Sequence, residues 1–404
     1  MNLRMVRWVD IWLGIPLAYI CSLTGIFLRL FRRRRQKLDG YSRILLIKFW
    51  GIGNVAMLLP AARSLKNRYP HARIDFLTLS DNKAIAAAGG CFDEVYTISS
   101  RTFPSFISTA FINFMRLRKA DYGLVIDFEQ FARFSALFCF FISRRDSIGF
   151  HTRGQHRHML FTDPVPYDNG IHIVSSFSLL AEKAGAERYG GVNKGPLLHY
   201  LPGDMKKVSD LLQERTGLKK GPLVVLHAGT SGNFTLRRWP AEYFAGLADR
   251  IIEGYAGTVV FSGMPEESHA VKEIIALMHN RLQAVDASGK LDFGAFIALL
   301  SIADLVISAD TAPVHLASCL NTPVAGLYGP NTPLLYGPWG EKGMFFYKSF
   351  PCSPCITNFN AKIHRCRHPQ GQGACMRALG IEEVLSGVSE RYFKLRDRAG
   401  HAAT

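Results

Sequence analysis

Residues 305–308 are a short apolar run, residues 324–328 are another, and the stretch between them has the period of a helix. A strand, a helical crossover and a second strand make a parallel pair, so this segment commits the chain to an α/β sheet covered on both faces. Asp310 and Thr311 suit the cap of the helix and Pro313 its first turn. The amides of Thr311 and Ala312 then lie at the positive end of the helix dipole, where a phosphate could be held, with the Asp310 carboxylate and the His315 imidazole beside them.

The same alternation runs through the chain. Residues 44–49 read as an apolar strand, Gly51 and Gly53 as a tight turn, and residues 55–69 as a helix with Met57, Leu58, Ala61 and Leu65 on one face. Strands follow over 73–79, 94–98 and 122–127. The pattern lapses over 194–204 into Gly, Pro and polar residues, and strands resume at 223, 258–261, 283–286, 305–308 and 324–328. Helices are expected around 241–254, 267–278 and 293–302. The implied fold class is α/β, two Rossmann-like doubly wound domains over 41–205 and 206–404. In such sheets a ligand lies beyond the carboxyl ends of the strands. There the second half offers His227, Gly229, Thr230 and Ser231, then Ser262 with Gly263, Ser288 with Gly289, and Gly329. Arg237 and Arg238, just before a helix, either neutralise a diphosphate or belong to a solvated loop.

Charge narrows the partners. Of the net +16, residues 1–40 contribute eight Arg and Lys against Asp10 and Asp39, which leaves +10 for the rest. No nucleic-acid motif accompanies the basicity, so no nucleic acid is expected; anionic lipid and phosphorylated substrates are. Residues 11–28 are almost wholly apolar, close to the ~20 residues that span a bilayer, and four arginines at 32–35 place the following chain on the cytoplasmic side. Asp10 at the edge and Pro16 near the middle keep a re-entrant or interfacial helix open beside a spanning one. Cys352, Cys355, Cys366 and Cys375 are spaced C-x2-C-x10-C-x8-C, which fits either a structural metal or reduced thiols packing a loop. Cys21, Cys91, Cys139 and Cys319 read as core.

Several short motifs in order resemble glycosyltransferase family 9, the bacterial heptosyltransferases of lipopolysaccharide core assembly. They are residues 44–48 with Gly53, residues 59–61, residues 122–127 and 147–150, His227-Ala-Gly229 with Arg238-Trp-Pro240, residues 309–315, and Cys375-Met376. The resemblance implies a GT-B architecture, with two domains facing a cleft, and metal-independent inverting transfer of a sugar from a nucleotide donor, commonly ADP-heptose. It implies donor contacts from Thr230, Ser231, Arg237 or Arg238, Glu266 at the ribose, and Asp310, Thr311, Ala312 and His315 around the diphosphate and sugar. The acceptor, a lipid-linked glycan at the cytoplasmic face of the inner membrane, would meet the loop from Gly51 to Asn54, with inner-membrane lipids as a further partner. Where relatives carry an Asp base this chain has Asn54, and a carboxamide cannot take a proton at neutral pH. Asp127 and Glu129 are then the nearest candidate bases. Three other readings stay open: a dinucleotide enzyme, since Gly51 to Ala56 fits G-x-G-x-x-A with Asp81 as ribose partner, a non-catalytic binder, and a sugar-nucleotide epimerase.

Overall fold

A computed structural model describes residues 10, 12, 14, 16, 17, 19–21, 40–191, 195–213, 221–230, 235–356, 366 and 368–393. The chain divides into two units, residues 1–190 and 191–404.

The first unit is built on a six-stranded sheet of β1 (Arg43–Ile47), β2 (Arg73–Leu79), β3 (Glu94–Ile98), β4 (Leu124–Asp127), β5 (Asp146–His151) and β6 (Asp163–Pro166). Their order is β3-β2-β1-β4-β5-β6, and every pair is parallel. Helices α1 (Ile52–Arg68), α2 (Lys83–Ala88), α3 (Phe103–Lys119) and α4 (Arg133–Ile142) are crossovers, a 3₁₀ turn at His158–Leu160 joins β5 to β6, and α5 (Ile173–Lys183) follows β6. Central strands β1 and β4 are buried almost throughout, which is why they read as unbroken apolar runs. The Phe49, Phe106, Phe134 and Phe138 rings join β1, α3 and α4 in one core, Phe134 and Phe138 with centroids 4.8 Å apart. Full burial of a phenylalanine such as Phe49 contributes about 1.5–3 kcal/mol.

The second unit repeats the plan. Strands β7 (Leu223–His227), β8 (Thr258–Ser262), β9 (Ala284–Asp286), β10 (Leu305–Ala309), β11 (Val324–Tyr328) and β12 (Gly343–Tyr347) lie in the order β12-β11-β10-β7-β8-β9, again all parallel. Counted from its own first strand this is the order of the first sheet. The helices that matter below are α6 (Pro202–Gln213), α7 (Ala241–Tyr255), α8 (Ser268–Leu277), α9 (Phe293–Ile302) and α10 (Ala312–Leu320).

Three expectations change. The division falls at Gly190 and Gly191 rather than between 205 and 206. Helix α6 belongs to the second unit because it lies on α9, where Lys207 pairs with Asp292 and a side chain at Gly294 would collide with Asp204. Strands β5, β6 and β12 were not foreseen: β6 carries two prolines and is an edge strand, the position that tolerates them.

The third change concerns the N-terminal segment. Asp10, Trp12, Gly14, Pro16, Leu17, Tyr19, Ile20 and Cys21 are helical, but among the described residues no helix is long and apolar enough to cross a membrane. Instead the Asp10 carboxylate accepts hydrogen bonds from the Arg133 and Phe134 amides, each 2.9 Å, and pairs with the Arg133 guanidinium at 3.3 Å. It caps α4 from a distant part of the sequence, replacing the missing local cap at Ala132. Gly14 lies against the Arg133 side chain, and Cys21 is buried in the core of the unit. Residues 22–39, with the arginine run, lie outside the described residues.

Candidate active site

In both sheets the strand order reverses beside the first strand, between β1 and β4 and between β7 and β10. Loops that leave adjacent strands in opposite directions open a crevice there.

In the second unit β10 ends at Ala309 and delivers Asp310 and Thr311 to that crevice. Asp310 is buried, and its carboxylate accepts from Asn331 Nδ2 at 2.7 Å and pairs with Arg237 Nε at 3.3 Å. Arg237 also donates through Nη1 to the Asp310 carbonyl at 2.9 Å. Arg237 is therefore engaged in fixing the β10 loop. Thr311 caps α10, its hydroxyl 2.9 Å from that of Ser308, and Ala312 with Pro313 forms the first helical turn. Thr311 and Ala312 are half-exposed, so the helix start presents its amides outward. His315 lies a turn further in, buried and stacked on Trp339 with centroids 5.7 Å apart.

At the end of β7, Thr230 is buried and accepts from Arg238 Nε at 3.4 Å. Arg238 also lines a cavity of about 430 Å³ with Gly229, Glu242, Glu267 and Arg377. That volume is within the range of small-molecule sites. Glu267, not Glu266, turns inward: Glu266 is exposed, whereas Glu267 is buried and takes the Met264 amide at 2.9 Å. A Cβ at Gly229 would overlap the Glu267 carboxylate, so any larger residue there displaces Glu267 from its present position. Burial drives the pKa of His227 down to about 4 against the opposing pull of Glu267, which keeps the imidazole neutral, with Nδ1 3.0 Å from the Ser262 hydroxyl. Ser231 lies outside the described residues.

In the first unit β1 leads through Lys48 and Trp50 into Gly51, which caps α1 at φ 83°, with Gly53 and the half-buried Asn54 in the first turn. No carboxylate lies in that turn. Glu129 holds the loop: Oε1 accepts from the Phe49 and Trp50 amides at 2.7 and 3.1 Å, and Oε2 pairs with Lys48 at 2.9 Å. Asp127 is fully buried, one oxygen taken by Arg157 and Ser135 and the other by the Glu129 amide. Burial outweighs the Arg157 charge and raises its pKa to about 6. Asp127 and Glu129 thus sit inside a buried network, without the solvent-facing oxygen a base for a bound acceptor needs.

The model of glycosyltransferase family 9 (heptosyltransferase) matches residues 113–364. The chain belongs to that family. As a family 9 member it is a glycosyltransferase. Lipopolysaccharide heptosyltransferase 3 of Escherichia coli is 24% identical over 312 residues, a match covering 73% of this chain and 86% of that protein. The family 9 glycosyl transferase of Veillonella parvula superposes with a TM-score of 0.73 at 18% identity, covering 88% of this chain and 98% of that one. The E. coli heptosyltransferase WaaC with ADP gives a TM-score of 0.65 at 18% identity, covering 86% and 99%. The fold is accordingly GT-B-like.

Family membership sets aside the dinucleotide reading of Gly51 to Ala56; Asp81 takes hydrogen bonds from the Ser80 and Ser100 hydroxyls. Cys352, Cys355, Cys366 and Cys375 form no disulfide and line a separate small cavity with His368. Among the described residues no three His, Cys, Asp or Glu side chains are arranged as metal ligands, so no step is drawn through a metal there. Sequence reasoning missed Asn331, Glu267 and Arg377. Asn331 stands two residues past Gly329 at the end of β11, where the strand-end rule could have found it.

Proposed function

We propose that this glycosyltransferase transfers heptose from ADP-heptose, with inversion, to a lipopolysaccharide core or related lipid-linked glycan at the cytoplasmic face of the inner membrane. The observation that carries the reading is the donor-side crevice: a helix start, an arginine on Thr230 and a carboxylate braced by Arg237 and Asn331, at the switch point of one sheet. The E. coli relative is a lipopolysaccharide heptosyltransferase, and the similar fold of the heptosyltransferase WaaC was solved with ADP.

In an inverting displacement the acceptor oxygen attacks the anomeric carbon opposite the departing diphosphate. Charge grows on the leaving group. The amides at the start of α10 and the Arg238 guanidinium stabilise it, each such donor contributing about 3 kcal/mol in the transition state. Arg237 and Asn331 act through Asp310, holding the loop that presents those amides. On the acceptor side Asn54 orients the attacking hydroxyl by hydrogen bonding and does not remove its proton.

The test is a thermal shift of the full chain with ADP, UDP, GDP and ADP-heptose. ADP and ADP-heptose raise the melting temperature, by the equivalent of about 2.7 kcal/mol at a hundredfold excess over Kd. The Arg238→Ala variant, with an unchanged melting temperature alone, loses that shift and the release of ADP on adding acceptor. Equal shifts with all three diphosphates, or an Arg238→Ala protein that binds and turns over normally, defeats the assignment.

A further inference from the structure

Every large hydrophobic side chain exposed in the first unit, among the described residues, belongs to one of three adjoining elements. Helix α3 carries Ile107, Phe111, Ile112 and Met115, with Phe111 63% exposed. The end of α4 carries Phe141, whose ring is 6.2 Å from Phe114 of α3. The N-terminal helical segment, pinned to the start of α4 by Asp10, carries Trp12, Leu17, Tyr19 and Ile20. The four α3 residues are spaced i, i+4, i+5 and i+8, so they share the outward face, while Phe106, Ala110, Asn113 and Leu117 bury the inward one. A solvated crossover helix would place Lys, Glu or Gln there.

The charges around the face have one sign. Residues 101–119 hold Arg101, Arg116, Arg118 and Lys119, all exposed, and no Asp or Glu. Helical spacing puts Arg118 and Lys119 on the apolar side at its C-terminal end. Arg144 joins them, donating to the Arg118 carbonyl at 3.0 Å. Asp121, beyond the helix, is paired with Arg144 at 3.7 Å.

We infer that the α3–α4 face of the first unit is a second membrane contact, separate from the N-terminal apolar run, that lies in the surface of an anionic bilayer. Phe111, Ile112 and Met115 enter the acyl boundary and the arginines and Lys119 meet lipid phosphates. A second copy of the chain fits less well. A twofold contact would set this cationic rim against itself, with only Asp121, already paired with Arg144, to answer it. The inference deepens the proposed function, resting on it only for the lipid-linked acceptor.

The test uses the full chain and sedimented vesicles, either phosphatidylcholine alone or phosphatidylcholine and phosphatidylglycerol in equal parts. The variants are Phe111→Asp with Met115→Asp, and Arg116→Glu with Arg118→Glu. All four positions are exposed, and circular dichroism with melting temperature verifies folding. Both variants are expected to bind the anionic vesicles at least about tenfold more weakly than the parent chain, with binding of the parent falling as salt rises. Transfer to acceptor dispersed in detergent stays at the parent level in both, while transfer to vesicle-embedded acceptor falls. Variants that bind anionic vesicles like the parent overturn the inference, as does a parent dimer that the Phe111→Asp variant abolishes. Vesicle binding without any ADP-dependent thermal shift would defeat the function and leave this surface standing.

Discussion

Asp127 illustrates how burial reassigns a residue. From its place at a strand end it was a candidate base, yet its carboxylate and the Arg157 guanidinium are both fully buried against each other. Removing one partner strands the other charge in the interior. Asp127→Asn should therefore lower stability by about 3–5 kcal/mol, read as a shift of the urea midpoint, while the folded fraction keeps nearly normal turnover. A variant with normal stability and a collapsed rate would return Asp127 to the chemistry. The strand-end rule located Thr230, Asp310 and Thr311 because glycine, hydroxyl and carboxylate residues following an apolar run are visible in sequence. It could not choose between Glu266 and Glu267. Adjacent residues in a short 3₁₀ turn point to different sides, and only the backbone around Pro265 decides which one enters the cavity. Nor could it separate Arg237 from Arg238, since their division of labour depends on Asp310 and Thr230, far away in the chain.

At the scale of elements, the start of α10 is the part most exposed to test. Ala312 is the first helical residue after the Thr311 cap, a position where proline is tolerated because its fixed φ suits the helix and no intrahelical bond is lost. Thr311 has extended backbone, which the residue before a proline requires. Ala312→Pro should thus leave the melting temperature close to wild type and remove one amide from the anion site. A loss of kcat on the order of 10²-fold is expected in a coupled ADP-release assay. An unchanged kcat would place the diphosphate elsewhere. Interior strands such as β2 and β11 were legible to the residue because they are buried apolar runs that end at polar turns. Edge strands β6 and β12 were not: β6 has two prolines and β12 only one buried residue, so neither shows a buried run. One contact of the N-terminal segment was illegible for a related reason. Hydropathy registers residues 11–28 as apolar, but the use made of Asp10 is a capping contact 123 residues away.

At the scale of the whole molecule, the two units carry the same strand order but dissimilar strand ends. The second unit meets its crevice with a helix start, two arginines and a braced carboxylate. The first meets its own with a glycine cap and Asn54 above a buried network of Lys48, Glu129, Asp127 and Arg157. Hydrogen exchange on adding ADP should therefore show its largest protection at residues 227–230, 237–238 and 310–314, with residues 48–54 little changed. Stronger protection at 48–54 than at 310–314 would reverse the donor and acceptor assignments.

All ten strand pairings are parallel, and each sheet uses only strands from its own half of the chain. Such sheets contain no hairpin to nucleate them, so each closes through long crossovers and assembles slowly. The consequence falls on synthesis. The N-terminal half has all its strands once residue 166 has emerged, and can fold while the second half is still being translated. Its apolar α3 surface would then be available to a bilayer before the second half exists.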